Sequence, residues 1–322
     1  MVRAHLVGEF AAGDIALLQG ALHPDVALTV GEEVPGETEI LIYGTPSAET
    51  LDRLGQLRVV VIPWAGVPQR TLSLLCERPH LALHNLHHNA LPVAEMALTL
   101  LLAAARRLPH LDAHLRRGDW SPRYAPPDSL LLSGKTALLV GYGEIGRRVG
   151  RMLGALEMRV LAVRRTPGEV EMDGVAVCGI ERLDELLPQA QAVVVSTPLT
   201  KETRHLLDAE RLQRLSTGAV VVNVGRGEVI EAQGLFEALV NGPVGAAGLD
   251  VWYQYPKDEV GRVMTFPAAV PLHTLPNVVL SPHLADHTTD TERLRMAALA
   301  ELLNAAAMGR ALPNAVDVGR GY

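Results

Sequence analysis

Two groups of residues in this 322-residue sequence carry chemistry by their types and spacing. "LLVGYGEIGRRVG" sets Gly141, Gly143 and Gly146 in a GxGxxG where an apolar run gives way to a helical pattern. The first glycine permits a tight turn, the second lets a pyrophosphate approach the backbone, and the third lets helix pack on strand. Free N–H groups and the helix dipole then face the phosphates. Strand, loop and helix are all in place, so dinucleotide binding is favoured over a purely structural turn. "VLAVRRTPGE" is the second group, with Arg164, Arg165 and Thr166 at the end of the next apolar run. A carboxylate at that point normally accepts hydrogen bonds from the ribose hydroxyls. Guanidinium groups suit a 2′-phosphate instead, because their donors are fixed in a fork. The plain alternative is a solvated strand end, and NADP(H) is favoured over NAD(H). "SGKT" at 133–136 imitates a phosphate-binding P-loop, but Ser129 stands where that motif needs its first glycine, and a strand follows it.

These loops need strands to carry them, and short apolar runs alternate with helical patterns throughout. "VALTV" (26–30), "EILIY" (39–43), "LRVVVI" (57–62) and "LALH" (81–84) read as strands of a first, mostly parallel sheet. A long helical stretch over 92–117 follows, with Pro92 in its first turn and Pro109 kinking or breaking it. A second series comprises 135–143, 158–163, 192–196, 219–224, 244–251 and 277–281, with helices over 144–156, 180–187 and 230–241. The final helix, 289–308, has no strand after it and is expected to fold back on the first domain.

Composition narrows the classes. Hydrophobic residues make up 48% and charged residues 20%, which describes a globular chain and not a disordered one. A net charge of −7 argues against nucleic-acid or anionic-membrane partners. The longest apolar run, Met96 to Ala105, is too short for a bilayer, and no signal peptide is expected at the amino terminus. Cys76 and Cys178 show no metal-type spacing, so a cytoplasmic location is expected. His84, His87 and His88 cluster without partner carboxylates or cysteines, and no metal site is expected there. His110 and His114 read as surface or dimer-face residues.

The glycine loop, "STPLTKETRHLL" (196–207), "VVNVGRGEVIE" (221–231), "GLDV" (248–251) and "LPNVVLSPH" (275–283) fall in one order. Together they resemble the D-isomer-specific 2-hydroxyacid dehydrogenases, among them glyoxylate/hydroxypyruvate reductases. The resemblance implies a doubly wound Rossmann domain, 93–283, inserted in a flavodoxin-like substrate domain made of 1–92 and 284–322. It also implies a homodimer acting on a small 2-oxo or 2-hydroxy acid with NADP, or less favourably NAD. Arg226 matches the family's substrate-binding arginine and His283 its acid/base. Such a reduction needs a cation near the carbonyl and carboxylate oxygens and a proton donor to the new alkoxide. Ala65, Gly66 and Val67 match the loop whose N–H groups hold the substrate carboxylate, and Asn89 a position lining the cleft. Glu144, Ile145, Thr197, Pro198, Val224 and Asp250 match positions around the cofactor. Selectivity for the substrate side chain is expected around Trp64, Trp252 and Tyr253.

One position departs from the pattern. Five residues after Asp250 the family has a glutamate bonded to the catalytic histidine, and here Tyr255 stands instead. Tyrosine is neutral at working pH and offers only a hydrogen bond, so His283 is expected to titrate at or below its ordinary value. A rival expectation has Asp258 or Glu259, in the lengthened loop that follows, replacing the missing carboxylate. The departure also leaves open an enzyme of the same fold acting on another small anion, as formate dehydrogenases do, or a nucleotide-sensing protein like the related corepressors.

Overall fold

The computed structural model describes residues 1–165 and 170–321, so Thr166 lies outside the described residues. Two compact units divide the chain: Met1–Asn89 with His287–Tyr322, and Ala90–Asp286.

In the first unit, β1 (Val2–Leu6), β2 (Val26–Val30), β3 (Ile40–Ile42), β4 (Val59–Ile62) and β5 (Ala82–Asn85) form one sheet. Its order is β2-β1-β3-β4-β5 and every pairing is parallel, the winding of the flavodoxin-like fold. Side chains alternate across a strand, and β3 shows both faces covered. Ile40 and Ile42 join Leu6 and Val61 on one side, while Leu41 joins Val60, Ile62 and Leu75 on the other. Helices α1 (Ala12–Ala21), α2 (Ala48–Arg53) and α3 (Gln69–Cys76) connect these strands. β1 lies outside the expected strands because "VRAHL" alternates apolar with basic residues. Its His5 is nonetheless buried, the ring bonded to Thr29 Oγ1 at 2.8 Å and Gly31 O at 3.0 Å.

The second unit opens with α4 (Ala90–Ala105) and α5 (Leu108–Leu115). The long helical stretch is therefore broken as expected, with Arg107 in the left-handed region at φ 56° and Pro109 in the first turn of α5. Eight strands follow: β6 (Thr136–Val140), β7 (Arg159–Arg164), β8 (Val170–Met172), β9 (Val175–Gly179), β10 (Ala192–Val195), β11 (Ala219–Asn223), β12 (Val244–Leu249) and β13 (Val278–Leu280). They are ordered β13-β12-β11-β10-β6-β7-β9-β8. All pairs are parallel except β8 with β9. The run β9-β7-β6-β10-β11-β12 is the dinucleotide-binding winding, whose order reverses between β6 and β10. That reversal opens the crevice where ligands of such sheets bind. The β8–β9 hairpin also lies outside the expected strands; its paired runs span only three and five residues.

Helices α6 (Glu144–Ala155), α7 (Leu183–Leu186), α8 (Ala209–Gln213) and α9 (Ala232–Val240) serve this sheet. The chain then returns to the first unit as α10 (Thr291–Ala307), which packs on α1. Met296, Leu299, Leu302 and Leu303 are buried in the cluster of β1 and β3. Each such side chain contributes about 1.5–3 kcal/mol by leaving water. The fold-back expected of the last helix is what the structure has.

Candidate active site

Gly141 follows β6 with φ 104°, a conformation that L side chains rarely adopt. A Cβ there would also lie 2.7 Å from Thr197 Oγ1. Gly146, in the first turn of α6, lies so close to the loop that its Cβ would meet Gly141 O at 2.2 Å. Gly143 is different: a Cβ there meets nothing within 4 Å, and the residue caps the start of α6 with no side-chain hydrogen bond. Two glycines are thus required by packing and the third leaves its backbone open beside the first-turn amides of Glu144, Ile145 and Gly146. A pyrophosphate fits that cradle by charge and by room.

Around it, Ser196 Oγ donates to Gly141 O (3.2 Å) and Thr197 Oγ1 to Val140 O (2.8 Å). Pro198 is exposed just beyond β10, and Val224, just beyond β11, is buried with its N–H on Val195 O. Arg164 ends β7 opposite Gly179 and is half-buried, and Arg165 follows, exposed. Hydrogen bonds from Thr200 and from its own backbone hold Glu202 below the usual carboxylate range, with Lys201 and Arg165 adding their charge. Arg165 therefore lies within electrostatic reach of the 197–203 loop.

Arg226 is held between two close backbone approaches. A Cβ on Gly225 would lie 2.6 Å from Thr197 O, and one on Gly227 2.3 Å from Trp252 O. Buried Asn223 braces the turn, its Nδ2 donating to Arg226 O (2.9 Å) and its Oδ1 accepting from Gly225 N (3.0 Å). The Arg226 side chain is exposed and donates to Gly225 O at 2.7 Å. Among the described residues no carboxylate forms an ion pair with it. Asn223 escaped the sequence reading because a buried asparagine in an apolar run gives no signal of what it binds.

His283 lies beyond β13, in the left-handed region at φ 58°. Its loop is tied down by Asp250, which is fully buried. Asp250 Oδ1 accepts from Ser281 Oγ (2.5 Å) and Leu284 N (2.9 Å), and Oδ2 from Ala285 N (3.1 Å). Trp252 adds its indole N–H to Ser281 O at 2.8 Å. The Tyr255 hydroxyl stands 2.9 Å from His283 Nδ1 and 3.0 Å from the Trp252 backbone N, whose N–H it accepts. Although exposed, His283 loses enough water to its neighbours to depress its pKa below the ordinary 6.5; the Arg226 charge lowers it further, against Asp250 and Asp286. Asp258 caps its own turn through Gly261 N, and Glu259 pairs with Arg262. Tyr255, not either carboxylate, is the group on His283.

The structure corrects part of the selectivity reading. Trp252 is 7% exposed, with its indole committed to Ser281. Tyr253 donates its hydroxyl to Ile230 O at 2.9 Å, and burial pushes its phenol well up. Both side chains are spent on packing within their unit. Trp64, by contrast, is 38% exposed.

In the first unit the loop after β4 is pinned from β5. Asn85 Nδ2 donates to Ala65 O at 2.6 Å, and its Oδ1 bonds the His87 ring at 3.0 Å. Trp64 packs over Gly44, where a Cβ would lie 2.0 Å from the indole. Gly66, Val67 and Asn89 are all half-buried. His84 is buried and bonded to Pro313 O (2.8 Å), which takes it out of any histidine cluster. Among the described residues, no group of three or more His, Cys, Asp or Glu side chains could hold a metal, and no helix is long and apolar enough to cross a membrane.

A flavodoxin-like sheet and a dinucleotide-wound sheet with its glycine loop define a nucleotide-binding α/β protein. The model of the D-isomer specific 2-hydroxyacid dehydrogenase NAD binding domain matches residues 98–285, and the chain belongs to that family. Glyoxylate reductase of Korarchaeum cryptofilum is 38% identical over 232 residues, 70% of this chain and 65% of that protein. Hydroxypyruvate reductase of Thermotoga maritima is 30% identical over 261 residues, 80% of this chain and 81% of that one. A crystal structure of a D-isomer specific 2-hydroxyacid dehydrogenase from Xanthobacter autotrophicus Py2, in complex with NADPH and MES, matches with a TM-score of 0.80. It is 27% identical and covers 100% of this chain and 99% of its own. Other curated relatives are longer: the chain spans 52% of the D-3-phosphoglycerate dehydrogenase of Archaeoglobus fulgidus. The formate-type and corepressor-type readings are not favoured by these relatives.

Proposed function

We propose that this protein reduces a small 2-oxo acid to its 2-hydroxy acid at the expense of NADPH. Arg226 carries the reading, because it is exposed, fixed by close backbone on both sides, and not neutralised by a described carboxylate. Such a cation binds the substrate carboxylate and stabilises the negative charge that grows on the carbonyl oxygen, an effect worth about 3–4 kcal/mol for one well-placed donor. His283, when protonated, gives that oxygen its proton. The reduced nicotinamide supplies the hydride. In this reading the second unit holds the cofactor through Gly141, Gly143, Gly146 and Thr197, while buried Asp250, matched by resemblance to a cofactor position, serves to hold the His283 loop. Ala65, Gly66 and Val67 offer backbone N–H groups, and Asn89 a side-chain amide, of the kind that holds a carboxylate.

Arg164 and Arg165 support NADPH over NADH. Charge-assisted hydrogen bonds to a 2′-phosphate contribute about 1.5–3 kcal/mol, or roughly tenfold or more in kcat/KM. Steady-state rates with glyoxylate, hydroxypyruvate and longer 2-oxo acids, each with NADPH and NADH, test both parts. Turnover of at least one short oxo acid, faster with NADPH, is expected, and Arg164→Asp should abolish or reverse the preference. No turnover of any of them with either cofactor overturns the reading. Equal efficiency with both cofactors overturns the NADPH assignment alone.

A further inference from the structure

The Tyr255 hydroxyl bridges two groups of unequal character. The Trp252 backbone N–H, 3.0 Å away, can only donate, so the phenol oxygen accepts there. His283 Nδ1, 2.9 Å away, either donates or accepts according to its tautomer. The two rings are tilted by 52° with centroids 5.5 Å apart, so the contact is made by the hydroxyl and not by stacking.

We propose that Tyr255 is a positioning residue that fixes the tautomer of His283, holding the neutral ring with its proton on Nε2. The argument counts protons. A hydroxyl has one proton, and with its oxygen already accepting from Trp252 the partner left for that proton is the Nδ1 lone pair. A neutral ring accepting at Nδ1 carries its hydrogen on Nε2. The opposite tautomer needs Nδ1–H to donate to an oxygen that already accepts one N–H, and it displaces the phenol proton from the ring. Burial keeps the phenol protonated, against the opposing influence of the Trp252 N–H and the Arg226 charge. The other charged groups acting on the imidazole are Arg226, Asp250 and Asp286. Asp250 is engaged by Ser281, Leu284 and Ala285.

A carboxylate at this position does the reverse: it accepts from Nδ1–H and leaves the Nε2 lone pair free as a base. Tyr255 therefore gives a resting site whose neutral histidine offers a hydrogen-bond donor to a carbonyl oxygen and has no lone pair at Nε2 for an alcohol proton. This inference rests on His283 being the acid/base of the proposed reaction, but its test does not require turnover.

The tautomer is read on the protein without substrate, by long-range ¹H–¹⁵N correlation of ¹⁵N-histidine-labelled enzyme, with the His283 signal assigned by its loss in His283→Gln. Above the titration, the pattern of an Nε2–H ring is expected, with Nδ1 shifted as an acceptor. Tyr255→Phe should move the signal toward a mixture, and Tyr255→Glu should invert it to Nδ1–H. With the tautomer inverted, 2-hydroxy acid oxidation at pH 9 should have a kcat at least about tenfold higher than in the native enzyme. An Nδ1–H ring in the native protein, or an unchanged tautomer in Tyr255→Phe, overturns the proposal whatever the substrate proves to be. Should Tyr255→Glu not fold, the phenylalanine variant carries the test alone. Failure of every oxo acid to react would remove the proposed function and leave the tautomer result standing.

Discussion

Arg226 and His283 stand out in the sequence as candidates because the proposed chemistry would need their types. A cation and a titratable donor at two strand ends have few substitutes, and their motifs surround them closely. Arg226→Ala is expected to lower kcat/KM for any accepted oxo acid by roughly two orders of magnitude or more. NADPH binding, followed by its fluorescence, should be nearly unchanged; near-normal activity in the variant would remove Arg226 from the site. His283 gives a pH signature. Its pKa is depressed below 6.5, by lost hydration and by Arg226, so the protonated acid is abundant only below that value and disappears as pH rises. The kcat/KM for reduction should therefore fall along a limb centred below about pH 6.5. Tyr255→Glu adds an attractive charge and should move the limb upward, whereas Tyr255→Phe should cost less than about tenfold. A limb above pH 8 in the native enzyme would contradict this assignment. The sequence showed Tyr255 only as a gap in a pattern. It gave no hint that Asp250 grips the His283 loop, since the donors stand 31 to 35 residues away.

At the scale of elements, the buried strands announced themselves as unbroken aliphatic runs, as strands covered on both faces do. β1 was hidden by His5, whose burial is compensated by hydrogen bonds that no local pattern encodes. The turn carrying Arg226 was recognisable as glycine-rich, but the reason for each glycine is tertiary. Gly227 is needed because Trp252 O occupies the space of its Cβ. Gly227→Ala forces backbone against backbone, where neither partner can rotate aside. We expect a loss of about 1–3 kcal/mol in stability, seen as a lower denaturation midpoint, together with a larger fall in kcat/KM than in NADPH affinity. The same shift would reach His283, because Trp252 also holds Tyr255 and Ser281. An alanine variant with native Tm and native kcat/KM would show that the contact is not tight.

The whole molecule follows from a βαβ rhythm that the sequence shows twice, and the resemblance supplied the nesting of one winding within the other. Both apolar clusters of the second unit are built from residues within 93–285. A protein comprising residues 90–286 is therefore expected to fold by itself and to bind NADPH, but to reduce no oxo acid; circular dichroism and fluorescence titration would decide. An unfolded fragment would show that the second unit depends on the rest of the chain. The first unit has no such independence. Its cluster around Leu6, Ile42 and Val61 is closed by Leu299, Leu302 and Leu303 of α10. During synthesis, some 200 residues separate β5 from that helix, roughly 10–40 s of ribosome time at ordinary elongation rates. Throughout that interval the nascent amino-terminal sheet displays one greasy flank to the cell, while the nucleotide-binding half can finish folding behind it. The helix that caps this sheet is translated long after it, and that order makes the sheet a region in need of chaperones.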